Sequence, residues 1–294
     1  MEARVTARLS LENVAIGYDG HALVDAIDLE LRSGSITCLM GANGVGKTTL
    51  FKTLLGLLPP LRGRIVLGGR DIATMKRDEI ARRVALVPQA YQGDPSHTVL
   101  DIVVMGRTAR LGMFSTPGRD DVAAAWRALD MLGIASLGQR SADRISGGQR
   151  QLMLIARALA QDTEIIVMDE PTASLDLSNR LALLDQIRGL AERGLSLLVS
   201  THEPEHAFAI ADRVAVIGPG QRFAVGDVDQ VLTPARLSAL YGLALDLETT
   251  PSGRRVVSRA DGSVLDLSIM ARGDAARPLR TAEASECTTS ERSS

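Results

Sequence analysis

Apolar and polar residues alternate along residues 5–18 and again along 25–31, the period-two pattern of half-buried strands. Residues 35–40 are mostly apolar and bounded by Gly34 and Gly41, as a buried strand is. A glycine-rich turn follows, then a helical stretch from residue 47 to about 57, stopped by Pro59-Pro60. Further strand patterns occupy 64–67 and 84–87. From 89 to about 159 the period becomes helical, with loops at 92–96 and 115–118. The alternation then resumes, with strand 164–168, helix 178–192, strand 196–200, helix 203–211 and strand 214–217. Strands alternating with helices predict an α/β chain with a mostly parallel sheet covered on both faces, and the helical block reads as an inserted subdomain. Near residue 245 the character shifts. Residues 245–248 and 254–258 flank Pro251-Ser252-Gly253 and fit a small hairpin, and the polar, small-residue composition after Arg272 predicts a disordered tail. No internal repeat is visible.

Composition narrows the class without identifying the chemistry. The 294 residues are 45% apolar and 23% charged, the balance of a soluble globular protein with one core, or a core and a smaller subdomain. A net charge of −2 gives no electrostatic case for nucleic acid as the main partner. No apolar run approaches the roughly 20 residues that span a bilayer, and residues 1–10 carry no apolar signal core. A membrane role is therefore expected to come through a partner. Cys38 and Cys287 make no disulfide framework; Cys38 reads as a small core residue, and the expected compartment is cytosolic. Lys47, Lys52 and Lys76 are the only lysines, which makes the lysine in the glycine-rich turn more telling.

That turn, Gly41-Ala42-Asn43-Gly44-Val45-Gly46-Lys47-Thr48, fits G-x-x-x-x-G-K-[ST] at every position, after a strand and opening a helix. Gly41, Asn43, Gly44, Gly46, Lys47, Thr48 and Thr49 are the nucleotide-binding candidates of this segment. The glycines let backbone N–H groups close around phosphate oxygens, and the helix N-terminus adds a favourable dipole. Lys47 can neutralise the β- and γ-phosphates, and the Thr48 hydroxyl can ligand Mg2+. The apolar strand 165–168 ends in Asp169-Glu170. Asp169 is placed to hold Mg2+, directly or through water, and Glu170 suits a general base that polarises an attacking water. Ser146-Gly147-Gly148-Gln149 opens a further helix, where a hydroxyl and accessible amides make a second anion site; a plain helix cap is the alternative.

In order and spacing, residues 41–49, Ile145-Ser146-Gly147-Gly148-Gln149-Arg150, Asp169-Glu170 and Pro171-Thr172-Ala173-Ser174-Leu175-Asp176 resemble the ATP-binding cassette (ABC) ATPases, over roughly residues 9–242. Ile145 stands where that family usually has leucine. The resemblance implies an α/β P-loop NTPase fold: a mostly parallel sheet core, an antiparallel β subdomain and an inserted α-helical subdomain. An ATPase domain would span 5–244, with the helical insertion at about 90–160, followed by a small extension over 245–271 and the tail over 272–294. It implies ATP and Mg2+ as cofactors and a homodimer. Each ATP would lie between the 41–48 loop of one copy and Ser146, Gly147, Gly148 and Gln149 of the other, with Asp176 in a loop that crosses the interface. Gln89 matches the family's glutamine loop, which touches Mg2+ and water, and His202 matches its switch histidine, a donor to the γ-phosphate. Tyr18 lies at about the family's distance for an aromatic that stacks on adenine; a core or turn tyrosine is the alternative. His21, His97 and His206 are given no role.

A finer resemblance is to the ATPase subunits of bacterial importers for ferric siderophores, haem, cobalamin and related metal chelates. It rests on Thr98-Val99-Leu100-Asp101-Ile102-Val103-Val104-Met105-Gly106-Arg107 with Leu111-Gly112, and on Ile145 to Leu152. It implies a polytopic permease whose coupling helix meets residues 98–107, a substrate-binding protein acting through that permease, and placement on the cytoplasmic face of the plasma membrane. A molybdate or tungstate importer is an alternative. From other classes, so is a soluble ABC protein of translation or DNA repair, although those usually carry two cassettes or a long coiled-coil insert. A P-loop regulator would leave Ser146 to Gln149 without a task. Cargo identity is not written in an ATPase that never touches it.

Overall fold

Asp19 and Gly20 both take positive φ, 49° and 78°, and close a two-residue turn between β1 (Ala7–Tyr18) and β2 (His21–Arg32). That turn brings β2 in several residues earlier than its alternating pattern indicates. The computed structural model describes residues 7–91, 96–112, 115–251 and 253–261. The 272–294 tail, the part of the 245–271 extension past 261, and Cys287 lie outside the described residues.

β3 (Ile36–Gly41) leads into α1 (Lys47–Leu54); β4 (Arg62–Leu67), β5 (Arg70–Asp71), α2 (Arg77–Ala81) and β6 (Val84–Val87) follow. The helical insertion holds α3 (Val99–Val104), α4 (Arg119–Met131) and α5 (Gly147–Ala160), joined through short 3-10 turns. After it come β7 (Ile165–Met168), α6 (Leu177–Glu192), β8 (Ser196–Thr201), α7 (Pro204–Ile210) and β9 (Arg213–Ile217). Residues 218–244, where the hydrophobic pattern indicates no element, contain β10 (Phe223–Asp227), α8 (Val228–Val231) and α9 (Pro234–Tyr241). β11 (Leu245–Thr249) and β12 (Arg255–Arg259) pair as an antiparallel ribbon.

Two larger sheets organise these elements. One is antiparallel, in the order β2-β1-β4-β5; the other runs β10-β9-β3-β8-β7-β6. In the second, β9, β3, β8, β7 and β6 are mutually parallel and β10 is an antiparallel edge. Its parallel strands are largely buried on both faces, so successive side chains enter different cores. Ile166 and Met168 of β7, with Ile36, Cys38 and Met40 of β3, join the core shared with the helical insertion. Ile165 and Val167 instead pack with Leu50 and Phe51 of α1 and with Leu9 and Leu29 of the antiparallel sheet. Burial pushes the Cys38 thiol up to about 12, which leaves it inert as a nucleophile. The mostly parallel sheet, the antiparallel subdomain and the inserted helices are the α/β P-loop architecture expected from the sequence. Among the described residues, no helix is long and apolar enough to cross a membrane.

Candidate functional site

The carboxyl ends of the neighbouring strands β3, β8, β7 and β6 come together at one edge of the parallel sheet, where open α/β sheets bind their ligands. From β3 the chain turns sharply into α1. Gly41 is demanded by crowding, since a Cβ there would approach Val45 Cγ1 to 2.7 Å and the Ile217 carbonyl oxygen to 3.0 Å. Gly46, the residue before α1, has φ 118°, a conformation that strains any side chain. The first-turn N–H groups of α1 have no partner within the helix, so the turn can offer them to an anion.

Asn43, Gly44, Gly46, Lys47, Thr48, Thr49, Gln89, Asp169 and Glu170 line one open cleft of about 310 Å3. Within it Lys47 is buried; its ammonium donates to the carbonyls of Gly41 at 2.8 Å and Ala42 at 3.4 Å and faces Glu170 Oε1 at 3.4 Å. These three partners match the three donors of an ammonium. Thr48 Oγ1 donates to Asp169 Oδ2 over 3.5 Å. Hydroxyl and carboxylate oxygens side by side, with the Gln89 amide on the same cleft, are the hard donors Mg2+ prefers alongside phosphate oxygens.

Glu170 is the meeting point of the charged groups. Besides Lys47, it accepts from Gln89 Nε2 at 3.4 Å and lies 3.6 Å from His202 Nδ1. His202 first, and then Lys47, hold its carboxyl below the usual carboxylate range, against the opposing effect of burial. The same carboxylate raises the His202 imidazole above its ordinary value, again against burial. Glu170 also carries a φ of 44°, rare for a residue with a side chain and typical of strained functional positions.

What holds that strained backbone is Ser200, a fully buried residue of β8 that sequence reasoning missed. Its hydroxyl accepts from the Glu170 N–H at 2.8 Å and donates to Asp169 Oδ1 at 2.8 Å. One side chain thus fixes both carboxylate residues at the end of β7. Its partners are some 30 residues away in the chain, so no local pattern announces it. His206 is buried against Thr201 and Thr172, with Nδ1 at 3.0 and 3.4 Å from their hydroxyls, in a packed polar network outside the cleft.

Tyr18 sits at the end of β1, where the Asp19-Gly20 turn brings it beside α1. Its hydroxyl accepts from Thr49 Oγ1 at 3.3 Å, and the residue is 43% exposed, so it is no core tyrosine.

Ser146, Gly147, Gly148, Gln149 and Asp176 do not line the cleft. Ser146 caps α5: its Oγ accepts from the Gln149 N–H at 3.2 Å, while Gln149 Oε1 accepts from the Ser146 N–H at 3.0 Å. Asp176 caps α6 by accepting from the Asn179 N–H at 2.8 Å and its side-chain amide at 2.7 Å, which hold its carboxyl below the usual range. The two helix starts are neighbours, because a Cβ on Gly148 would meet Asn179 Cγ at 3.0 Å. Ser146, Gly147 and Asp176 are exposed. In the segment 98–112, Val99, Ile102, Val103 and Gly106 face inward, and Arg107 is tied to Asp121 at 2.9 Å and to the Ala160 carbonyl at 2.8 Å. Asp101, Met105 and Thr108 remain exposed there.

Comparison with known proteins agrees with this geometry. The ABC transporter family matches residues 24–173. An uncharacterised ABC transporter ATP-binding protein of Haemophilus influenzae is 42% identical over 239 residues, 81% of this chain and 91% of that protein. The molybdate import ATP-binding protein MolC of the same organism is 35% identical over 81% of this chain and 89% of its own length. The ferric enterobactin transport ATP-binding protein FepC of Escherichia coli is 34% identical over 81% and 88%. Among solved structures, one described as a metal-chelate type ABC transporter in an inward-facing conformation superposes with a TM-score of 0.76 at 32% identity, covering 87% of this chain and 99% of that one. A glycine-rich strand-to-helix turn, paired carboxylates and a capped Ser-Gly-Gly-Gln helix, in a chain this similar to ATP-binding subunits along most of its length, place the protein in the ABC transporter family as an ATP-binding subunit.

Proposed function

We propose that this chain hydrolyses ATP for a bacterial ABC importer of metal chelates, working as a homodimer on the cytoplasmic face of a separate membrane permease. The observation that carries the hydrolytic part is the convergence of Lys47, Gln89 and His202 on Glu170 at 3.4, 3.4 and 3.6 Å, beside the glycine-rich turn. In this reading Lys47 and the first-turn amides of α1 receive the β- and γ-phosphates, Thr48, Asp169 and Gln89 hold the cation, and Tyr18 stacks on the base. Mg2+, when bound, neutralises charge on the phosphate oxygens. His202 donates to the γ-phosphate, and Glu170 polarises the attacking water. As Lys47 and His202 turn to the phosphates, Glu170 loses the hydrogen-bond partner and the ammonium that hold its carboxyl low, so the carboxylate becomes a better base when substrate is in place.

The exposed Ser146-Gly147-Gly148-Gln149 start of α5, beside Asp176, is the half-site each copy lends to the other's ATP. Closure of the pair is then a population shift, because ATP engages both halves only in the closed dimer. Likeness to a metal-chelate type transporter and to a ferric enterobactin ATP-binding protein, with the 98–112 segment, supports the cargo class. Likeness to MolC favours molybdate as a second reading. The test is co-purification of the chain with a candidate permease, then ATPase assays with a candidate binding protein loaded with ferric chelates or with molybdate. Stimulation by a ferric chelate is expected. Stimulation by molybdate alone would replace the cargo, and failure to associate with any membrane protein would overturn import.

A further inference from the structure

The phenol of Tyr241, the last residue of α9, donates a 2.6 Å hydrogen bond to the backbone carbonyl of His202. Through His202, which lies 3.6 Å from the cleft residue Glu170, this contact links the cleft to the C-terminal elements across 39 residues of chain. The two residues flanking His202 are fixed independently: the Glu203 N–H donates to Thr201 Oγ1 at 3.0 Å, and Glu203 pairs with Arg180 at 2.7 Å. Tyr241 anchors the peptide between them. Its own placement is over-determined. Gly242 closes α9 in the left-handed conformation at φ 68°, and the Leu245 N–H donates to Ser238 Oγ at 2.9 Å, stapling β11 to the helix. Leu237, Leu245 and Val257 enter the same core as Ala207 and Ile210 of α7, the helix that begins just after His202. Burial raises the Tyr241 phenol well above its ordinary value, so it stays a donor.

We propose that Tyr241 is a positioning residue for His202: docking of α9 and the β11–β12 ribbon against α7, through the Tyr241 hydroxyl, sets the backbone from which the histidine reaches Glu170 and the cleft. This rests on the reading of His202 as the γ-phosphate donor. The hydroxyl is far too committed to His202 to touch a nucleotide itself, so its loss acts on the aim of the imidazole and spares nucleotide binding.

The experiment is a double-mutant cycle on the full chain with Tyr241→Phe, His202→Ala and the pair, reading steady-state ATP hydrolysis, melting temperature and the histidine ring resonances. Tyr241→Phe should lower kcat about fivefold, the worth of one hydrogen bond, with KM for ATP changed less than about twofold. In the His202→Ala background it should cost nothing further, because residues acting through one another are non-additive. The His202 ring resonance should move while those of His21 and His97 stay. The same fractional loss in both backgrounds, or an unmoved His202 resonance, would overturn the proposal. Full activity of Tyr241→Phe beside a crippled His202→Ala overturns this inference alone. An unimpaired His202→Ala overturns the reading of His202 and takes the inference with it.

Discussion

Lys47 Nζ and Glu170 Oε1 stand 3.4 Å apart, with side-chain exposures of only 7% and 14%. Before any phosphate arrives, the cation of the glycine-rich turn is already neutralised by the carboxylate at the end of β7. Removing one member of such a buried pair leaves the other uncompensated. Lys47→Ala should therefore weaken ATP binding by about 10- to 100-fold, the value of a charge-assisted hydrogen bond. It should also raise the Glu170 pKa by removing a depressing cation. A titration with fluorescent nucleotide checks the first outcome, and unchanged affinity would remove Lys47 from the phosphate site.

Glu170→Gln keeps the shape of the side chain and discards its basicity. Nucleotide binding should survive, while hydrolysis should fall by at least ~100-fold, as expected on losing a general base. Phosphate release under single-turnover conditions separates the two. Turnover near the native rate would rule out Glu170 as the base.

The Glu170–His202 pair makes the ligand-free protein sensitive to pH in a defined window. His202 is raised above its ordinary 6.5, so its contribution to stability is complete below 6.5 and fades as pH rises through its folded value. Glu170 is lowered from its ordinary 4.5, so its contribution is complete above 4.5 and fades as pH falls through its folded value. The stability difference between the native chain and Glu170→Gln should then be largest between 4.5 and 6.5 and shrink on both sides. Denaturant unfolding across pH measures it. The His202 ring should also titrate at lower pH in Glu170→Gln, and an unchanged midpoint would dissolve the pair.

Ser200→Ala should be unusually costly for so small a change. It strips a buried acceptor from the Glu170 N–H and a donor from Asp169 Oδ1, and the desolvated groups left behind cost about 1–3 kcal/mol of stability. Hydrolysis should fall as the strained Glu170 backbone relaxes. Ser200→Thr, which keeps a hydroxyl, should recover part of both losses. A Ser200→Ala protein with native stability and rate would leave Ser200 as ordinary core.

Ser200 and Tyr241 also mark where sequence reading stops. The turn at 41–48, Asp169-Glu170 and the Ser146 cap are legible because each is a contiguous segment whose chemistry depends on neighbours in the chain. The parallel sheet follows from the alternation of elements. Tyr241 and Ser200, by contrast, reach partners 39 and about 30 residues away, and only the fold brings them to the site. The start of β2 is hard to read for another reason. Asp19-Gly20 is a two-residue hairpin signal, but apolar and polar residues alternate clearly only from residue 25. In 218–244, short segments such as α8 and α9 carry too few turns for a helical period to stand out.

The proposed sharing of each ATP between two copies yields the most discriminating outcome. Ser146→Arg puts a bulky cation where the second half of an ATP site is proposed, and it should abolish hydrolysis by the variant alone. Ser146 also caps α5, so part of any loss comes from the cap, about 1 kcal/mol of stability. Ser146→Ala removes the cap without the bulk and calibrates that part by its melting temperature. Lys47→Ala, damaged in the other half, should likewise be inactive alone. Mixed dimers of Ser146→Arg with Lys47→Ala contain one site with both defects and one with neither, so mixing should restore up to one working site per dimer. Activity that appears on mixing and rises with the heterodimer fraction can come only from a site built by two chains. A Ser146→Arg chain fully active alone would show that each cleft works without its neighbour, and a mixture as dead as its components would rule out one working composite site per mixed dimer.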